Sequence, residues 1–375
     1  MNQSSYFRYF IKLIIIGLFF FFTIEVCARI DDSIKFDAPF FKNYREDSLR
    51  SVEDGIPFNI PNARFEKWQN NSFGFRGPEF NPVKSNGITR IVCIGASESY
   101  GMYETPGMEW PAQLQNSLPR SEFQVINASV IGLNMSNFKQ YITKRVQPLK
   151  PDIIVMLINP FFYAVSFERS TRTQPLATVS TVKNDNEKRF SLKNDFSLRI
   201  IPKAKQVLKQ AVSNSFPALL KKYQLSSLQK QITSLELDRL SGRTPKNSVS
   251  EVALIKFRSD LHALVTSLKA QKVGVVLCSY PALIDRTNLQ TYPEIFLDHR
   301  RFCIEYSLQG MIDVLGSFNS VIKDVADKEG IIFIDAHAKL PKNIYNFGDD
   351  VHYLDKGAGL LAEAVAQALR KWVAQ

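Results

Sequence analysis

Five short stretches of consecutive apolar, largely β-branched residues recur along the chain, at residues 90–94, 123–127, 152–158, 273–278 and 331–335. Each is apolar at successive positions instead of alternating, so each has to be covered on both faces, as strands of a parallel sheet between helical layers are. Stretches with helical periodicity separate them, around residues 110–118, 135–146, 252–270, 308–328 and 356–373. In the third of these, Val252, Ile255, Leu261, Leu264, Val265 and Leu268 mostly share one face. Such alternation predicts an α/β fold: three layers, α/β/α, around a roughly five-stranded parallel sheet with right-handed crossovers. Reactive groups then belong at the carboxyl ends of the strands.

A chain of 375 residues, 45% hydrophobic and 22% charged, has the material for a large core and is neither disordered nor a bundle of membrane spans. Only residues 9–28 suit a bilayer, apolar throughout except for Lys12 and Glu25. The uncharged part, 13–24, falls short of the ~20 residues a spanning helix needs, but Lys12 can snorkel toward headgroups and Glu25 can sit at the opposite boundary. Residues 1–30 therefore read as an N-terminal signal anchor. A cleaved signal peptide ending near Val26-Cys27-Ala28 is the alternative. Both readings place the body outside the cytoplasm, because Arg8 and Lys12 precede the apolar run and Asp31 and Asp32 follow it.

Residues 31–88 read as an irregular lead-in, and residues 89–375 as the main domain, interrupted by an insertion at about 161–250. Between Lys183 and Lys222 the insertion carries ten Lys or Arg against three Asp or Glu, a large share of the net charge of +11. It reads as a solvated face or as a contact for anionic lipid or acidic glycan; no nucleic-acid-binding motif accompanies it. Because it follows the third strand, it is expected to cap or flank the edge where a substrate enters. The four cysteines, Cys27, Cys93, Cys278 and Cys303, form no CxxC pair, and Cys93 and Cys278 lie in apolar runs where buried free thiols are expected.

The first strand runs into Gly95-Ala96-Ser97-Glu98-Ser99-Tyr100-Gly101, which puts a serine just past the sheet's carboxyl edge in a turn that glycine permits. A serine hydroxyl needs a base, and imidazole is the usual one. Of the four histidines, His262 lies in an amphipathic helix and His299 in the charged run Asp298-His299-Arg300-Arg301, so surface roles are expected for both. His337 follows the last strand and could line a site. His352 stands in Asp349-Asp350-Val351-His352, directly before the final helix. There Asp349, three residues ahead, can accept its Nδ1–H and leave Nε2 facing a serine.

These residues carry a resemblance. The segment 71–77 followed by 91–101 is similar to the lead-in and nucleophile block of the SGNH, or GDSL-like, hydrolases, particularly their membrane-anchored members. Asn127-Ala128-Ser129-Val130-Ile131-Gly132 resembles the second block, Lys150-Pro151-Asp152 with Leu157-Ile158-Asn159 the third, and Asp349-Asp350-Val351-His352 the last. The resemblance implies a flavodoxin-like SGNH fold. It also implies Ser97, Asp349 and His352 as catalytic residues, and an oxyanion hole from the N–H groups of Ser97 and Gly132 with the Asn159 amide. It implies no metal and no cofactor.

The chain departs from the pattern where Ala96 replaces the usual aspartate, Leu157 replaces a glycine, and Pro160 follows Asn159. A proline there disfavours the α conformation at Asn159, which either fixes its amide toward the hole or turns it away. The leading expectation is an exported serine acyl-ester hydrolase acting on an acylated small molecule, glycan or envelope ester. The alternatives are an O-acyltransferase acting on polysaccharide, and a catalytically weak glycan-binding or assembly protein.

Overall fold

The computed structural model describes residues 3–41, 44–171, 198–201, 203–204, 217–240 and 242–373. Much of the basic stretch 183–222 lies outside these residues. Helix α1 (Gln3–Phe36) holds the candidate membrane span, Tyr9–Phe36, whose most apolar 18-residue window has a mean hydropathy of 2.3. Side chains from Tyr9 to Ile24 are exposed, as the apolar face of a span would be without its lipid. From Glu25 onward the helix changes character. Glu25 is buried, pairs with Arg29 at 2.8 Å and accepts the N–H groups of Arg199 and Ile200. Lys203 bridges Asp31 and Asp32 at 2.5 and 2.8 Å. Part of the insertion thus folds back onto the polar end of α1.

The lead-in forms two short antiparallel hairpins, β1 (Arg50–Glu53) with β2 (Ile56–Asn59), and β3 (Arg64–Phe65) with β4 (Trp68–Gln69). It is pinned to the main domain by polar contacts. Asn71 Oδ1 accepts the N–H groups of Phe73 and Phe75, shaping the turn, and the Arg76 N–H donates to Asn127 O at 3.2 Å. The Arg76 guanidinium pairs with Glu109 at 2.5 Å, both side chains almost fully buried.

Five strands follow: β5 (Thr89–Ile94), β6 (Phe123–Asn127), β7 (Ile153–Leu157), β8 (Gly274–Cys278) and β9 (Ile332–Ile334). They form one parallel sheet in the order β6-β5-β7-β8-β9, in register through Cys93 with Asn127 and Val155, Val155 with Val276, and Cys278 with Ile334. Every residue of β7 is buried, which is why its run is apolar without alternation. This is the doubly wound three-layer architecture that the apolar runs predict, and Cys93 and Cys278 are buried free thiols within it.

Between and around the strands lie α2 (Ser97–Tyr100), α3 (Trp110–Asn116), α4 (Met135–Tyr141), α5 (Pro160–Ser170), α6 (Pro217–Leu240) and α7 (Glu251–Ala270). After β8 come α8 (Arg286–Thr291), α9 (Pro293–Arg300), α10 (Leu308–Glu329), α11 (Ala336–Lys339) and α12 (Asp355–Val373). Helices α3 and α12 pack together on one side of the sheet, and α4, α5, α7 and α10 form the other layer. Ser250 and Ser307 cap α7 and α10 through their side chains, and Gly330 ends α10 in the left-handed conformation. Helix α6, in the insertion, rests on α9. The strand order reverses between β5 and β7, so the crevice at their carboxyl ends is where this topology opens a site.

Candidate active site

At the end of β5 the chain turns through Gly95 and Ala96 into α2, whose first residue is Ser97. The turn is tight enough to demand glycine. A Cβ on Gly95 would lie 2.2 Å from Ser99 Oγ and 3.1 Å from Leu157 O. The following loop is held close, because the Val130 N–H donates to Gly95 O at 3.1 Å.

On the other side of the crevice, Asp349 and His352 belong to a small closed loop. The Gly348 N–H donates to His352 O and the Leu354 N–H to Asn346 O, each at 2.9 Å. Asp349 Oδ1 accepts the N–H groups of Val351 (2.9 Å) and His352 (2.7 Å), which turns Oδ2 toward the imidazole. His352 Nδ1 lies 2.7 Å from Asp349 Oδ2, and Nε2 lies 2.8 Å from Ser97 Oγ, 255 residues away in sequence. All three side chains are largely shielded from solvent.

The electrostatics follow from this enclosure. Burial alone would draw the His352 pKa down. The hydrogen bond and charge of Asp349, with lesser contributions from Glu98 and Asp350, reverse this and raise it above the usual 6.5. For Asp349 burial pushes up, but the hydrogen bond and charge of His352 and two backbone N–H groups hold its carboxyl below the usual range. The Tyr103 ring packs 5.4 Å from the imidazole, and its hydroxyl is pushed up to about 12 by burial and by the Asp349 charge.

Gly132 sits in the loop after β6 with φ 83°, a left-handed conformation suited to glycine. The lead-in supports that loop: Arg50 Nη1 donates to Ile131 O at 3.1 Å and Asn59 Nδ2 to Ser129 O at 3.0 Å. Neither the Ser97 nor the Gly132 N–H makes a hydrogen bond among the described residues. Asn159 follows β7, and its Oδ1 caps α5 by accepting the N–H groups of Phe161 and Phe162 at 3.0 and 3.2 Å. Pro160 occupies the first helical position, where its missing N–H costs nothing. The Asn159 amide NH₂ donates to Tyr280 Oη at 2.9 Å and lies against the Glu98 carboxyl.

Three features of this region escape the sequence reading. Glu98 is wholly buried beside Ser97, with Oε1 accepting the Ala96 N–H at 2.9 Å. Burial drives its carboxyl pKa up, against the backbone hydrogen bonds and the nearby His352 and Asn159 that pull it down. Glu104 is also wholly buried, and its pKa is raised to about 8, chiefly by burial.

The third feature corrects an expectation. His299 is not a surface residue: it is buried, with Nδ1 2.8 Å from Asp350 Oδ2 and Nε2 3.2 Å from Cys303 Sγ. The phase of α9 turns His299 and Arg300 inward while Asp298 and Arg301 face outward, so one charged run serves both faces. His262, by contrast, is partly exposed and pairs with Glu329. His337 is engaged with Lys342 at 2.9 Å and takes no part in the Ser97 cluster. Among the described residues no three His, Cys, Asp or Glu side chains gather as a metal-binding group.

Fold and side-chain geometry together define a doubly wound α/β protein with a serine–histidine–aspartate cluster at the carboxyl edge of its sheet. Among solved structures the chain is similar to GDSL-like lipases and acetylxylan esterases. A catalytic mutant of the acetylxylan esterase Axe2 from Geobacillus stearothermophilus is 15% identical, with 77% of this chain and 96% of that one covered and a TM-score of 0.40. A lipase/acylhydrolase from Enterococcus faecalis is 14% identical over 76% of this chain and 96% of its own, also with a TM-score of 0.40. No protein-family model matches the sequence, and no curated protein matches it.

Proposed function

We propose that this protein is a serine acyl-ester hydrolase, tethered by α1 with its main domain outside the cytoplasm. The observation that carries the reading is the unbroken line from Asp349 Oδ2 through the His352 ring to Ser97 Oγ, with contacts of 2.7 and 2.8 Å. His352 takes the Ser97 proton as Oγ attacks the ester carbonyl, and Asp349 stabilises the imidazolium that forms. The carbonyl oxygen becomes negative in the tetrahedral intermediate. The unengaged N–H groups of Ser97 and Gly132, with the Asn159 amide, are the donors assigned to it. His352 returns the proton to the leaving alcohol, and a water molecule, deprotonated by the same imidazole, cleaves the acyl-serine to free acid and serine.

The test is hydrolysis of 4-nitrophenyl acetate by the full chain in detergent micelles, with labelling by a fluorophosphonate probe. Ser97→Ala and His352→Ala are each expected to abolish turnover and labelling. Turnover at the wild-type rate by Ser97→Ala would remove Ser97 from the mechanism. Export is read separately: a reporter enzyme active only outside the cytoplasm, fused after Gln375, is expected to be active.

A further inference from the structure

A cavity of about 480 Å³ opens between helix α6 of the insertion and the main domain, with Gly132 in its wall. The volume falls within the range of small-ligand sites. Its position is set by the candidate active site: the Gly132 loop is tied to the nucleophile turn through Val130 and Gly95, and α5, which forms another wall, starts at the Asn159 cap.

Among the described residues, the charged side chains lining this cavity are three arginines, Arg169 from α5, Arg239 from α6 and Arg301 after α9, and no described carboxylate lines it. Two of the guanidinium groups are held in fixed orientations. Arg169 donates through Nε to the buried Glu305 carboxylate at 2.9 Å and through Nη2 to Phe302 O at 3.4 Å. Arg301 donates through Nη1 to Gln231 Oε1 at 2.9 Å and is paired with Asp298 through Nη2. Neither Glu305 nor Asp298 is among the residues lining the cavity, whereas Arg169 and Arg301 are. Phe302, 61% exposed, adds an apolar surface to the same wall. Planar cations recognise a carboxylate by paired hydrogen bonds, and an aromatic face accepts the C–H face of a sugar ring.

Resting on the hydrolase reading above, we propose that this cavity binds the carboxylate-bearing sugar of an acylated acidic saccharide, so that O-acylated uronosides with a free carboxylate are the preferred substrate class. The sugar acid sits between Arg169, Arg301 and Phe302, and its acyl ester reaches past Gly132 to Ser97.

The experiment compares three esters with the full chain in detergent micelles: O-acetylated oligogalacturonate, O-acetylated xylo-oligosaccharide and 4-nitrophenyl acetate. The expected result is kcat/KM at least about tenfold higher for the acidic than for the neutral saccharide, carried by KM and shrinking as salt is raised. Arg169→Gln and Arg301→Gln are each expected to reduce that preference several-fold while leaving the aryl ester unchanged. Equal rates on the two saccharides, or equal losses on all three esters, would overturn the proposal. Inorganic phosphate competing as strongly as galacturonate would also overturn it, by giving the cavity to a phosphate group.

Should none of the three esters be cleaved, the hydrolase reading fails and the cavity is judged by titration calorimetry. Unacetylated oligogalacturonate that binds the full chain and is weakened by the arginine substitutions supports the site. Absence of binding removes it.

Discussion

Glu98 Oε1 accepts the Ala96 N–H at 2.9 Å, so a wholly buried carboxyl brackets the turn that carries Ser97. Ala96 itself carries no carboxyl ahead of the serine, and a carboxyl reaches the turn from the residue after it. Its other oxygen, Oε2, has no well-aligned hydrogen bond among the described residues and lies toward the Asn159 amide. Burial raises its pKa, and glutamine reproduces its shape while keeping an acceptor oxygen for the Ala96 N–H. Glu98→Gln is expected to keep turnover of 4-nitrophenyl acetate within a few-fold. Glu98→Ala is expected to lower kcat by about 10², the cost of a poorly placed oxyanion donor. Wild-type kcat in the alanine variant would remove Glu98 from the site.

The raised pKa of His352 sets the pH profile. The imidazole works as a base only when neutral, so kcat/KM is expected to rise with pH through an apparent pKa above 6.5 and to level off on the alkaline side. Asp349→Asn removes the largest upward influence on that pKa. It is expected to shift the inflection toward acid while cutting turnover by about 10³ to 10⁴. An unshifted inflection would show that the rate reports another group.

Glu104 gives a stability prediction with the opposite outlook. Its pKa is near 8 in the folded protein against an ordinary 4.5. Below 4.5 both folded and unfolded chains hold the proton. Between 4.5 and about 8 the unfolded chain releases it and the folded one retains it, so stability falls as pH rises, by about 1.4 kcal/mol per pH unit from this group. Glu104→Gln keeps the neutral form at every pH and removes that slope. Denaturant titrations at pH 5 and pH 8 are expected to show the variant gaining on the wild type at the higher pH.

The buried pair of Arg76 and Glu109 joins the lead-in to the main domain, with side chains only 4% and 3% exposed. Arg76→Met strands a carboxylate in the interior and is expected to cost about 3–5 kcal/mol. The double variant Arg76→Met with Glu109→Gln is expected to recover most of that loss. Denaturant midpoints for the two proteins decide it, and equal midpoints would mean that the pair contributes through something other than charge compensation.

The sheet was legible in the sequence because burial on both faces leaves runs such as Ile153–Leu157 without a polar residue, a signal that needs no knowledge of partners. The convergence of Ser97, His352 and Asp349 was legible because each follows a strand or precedes a helix, which fixes where it emerges. Glu98, Glu104 and His299 were not. A carboxylate looks solvent-facing in any linear pattern, and only the packing of distant segments around it makes it an interior group. In α9, eight residues long, too few turns follow Pro293 to define an inward face, so the run 298–301 reads as uniformly polar. The two hairpins of the lead-in escaped because their strands are two to four residues long, too short for any periodicity.

Asp349 and His352 arrive on one self-closed loop, with Asp349 Oδ1 bonded to the loop's own N–H groups. The acid and the imidazole therefore move as a unit, and their mutual geometry is insulated from changes elsewhere in the molecule. What the remaining structure has to regulate is a single coordinate, the gap between that unit and Ser97. A sequence drifting at its periphery can widen or narrow this gap and so tune the rate gradually, without dismantling the pair.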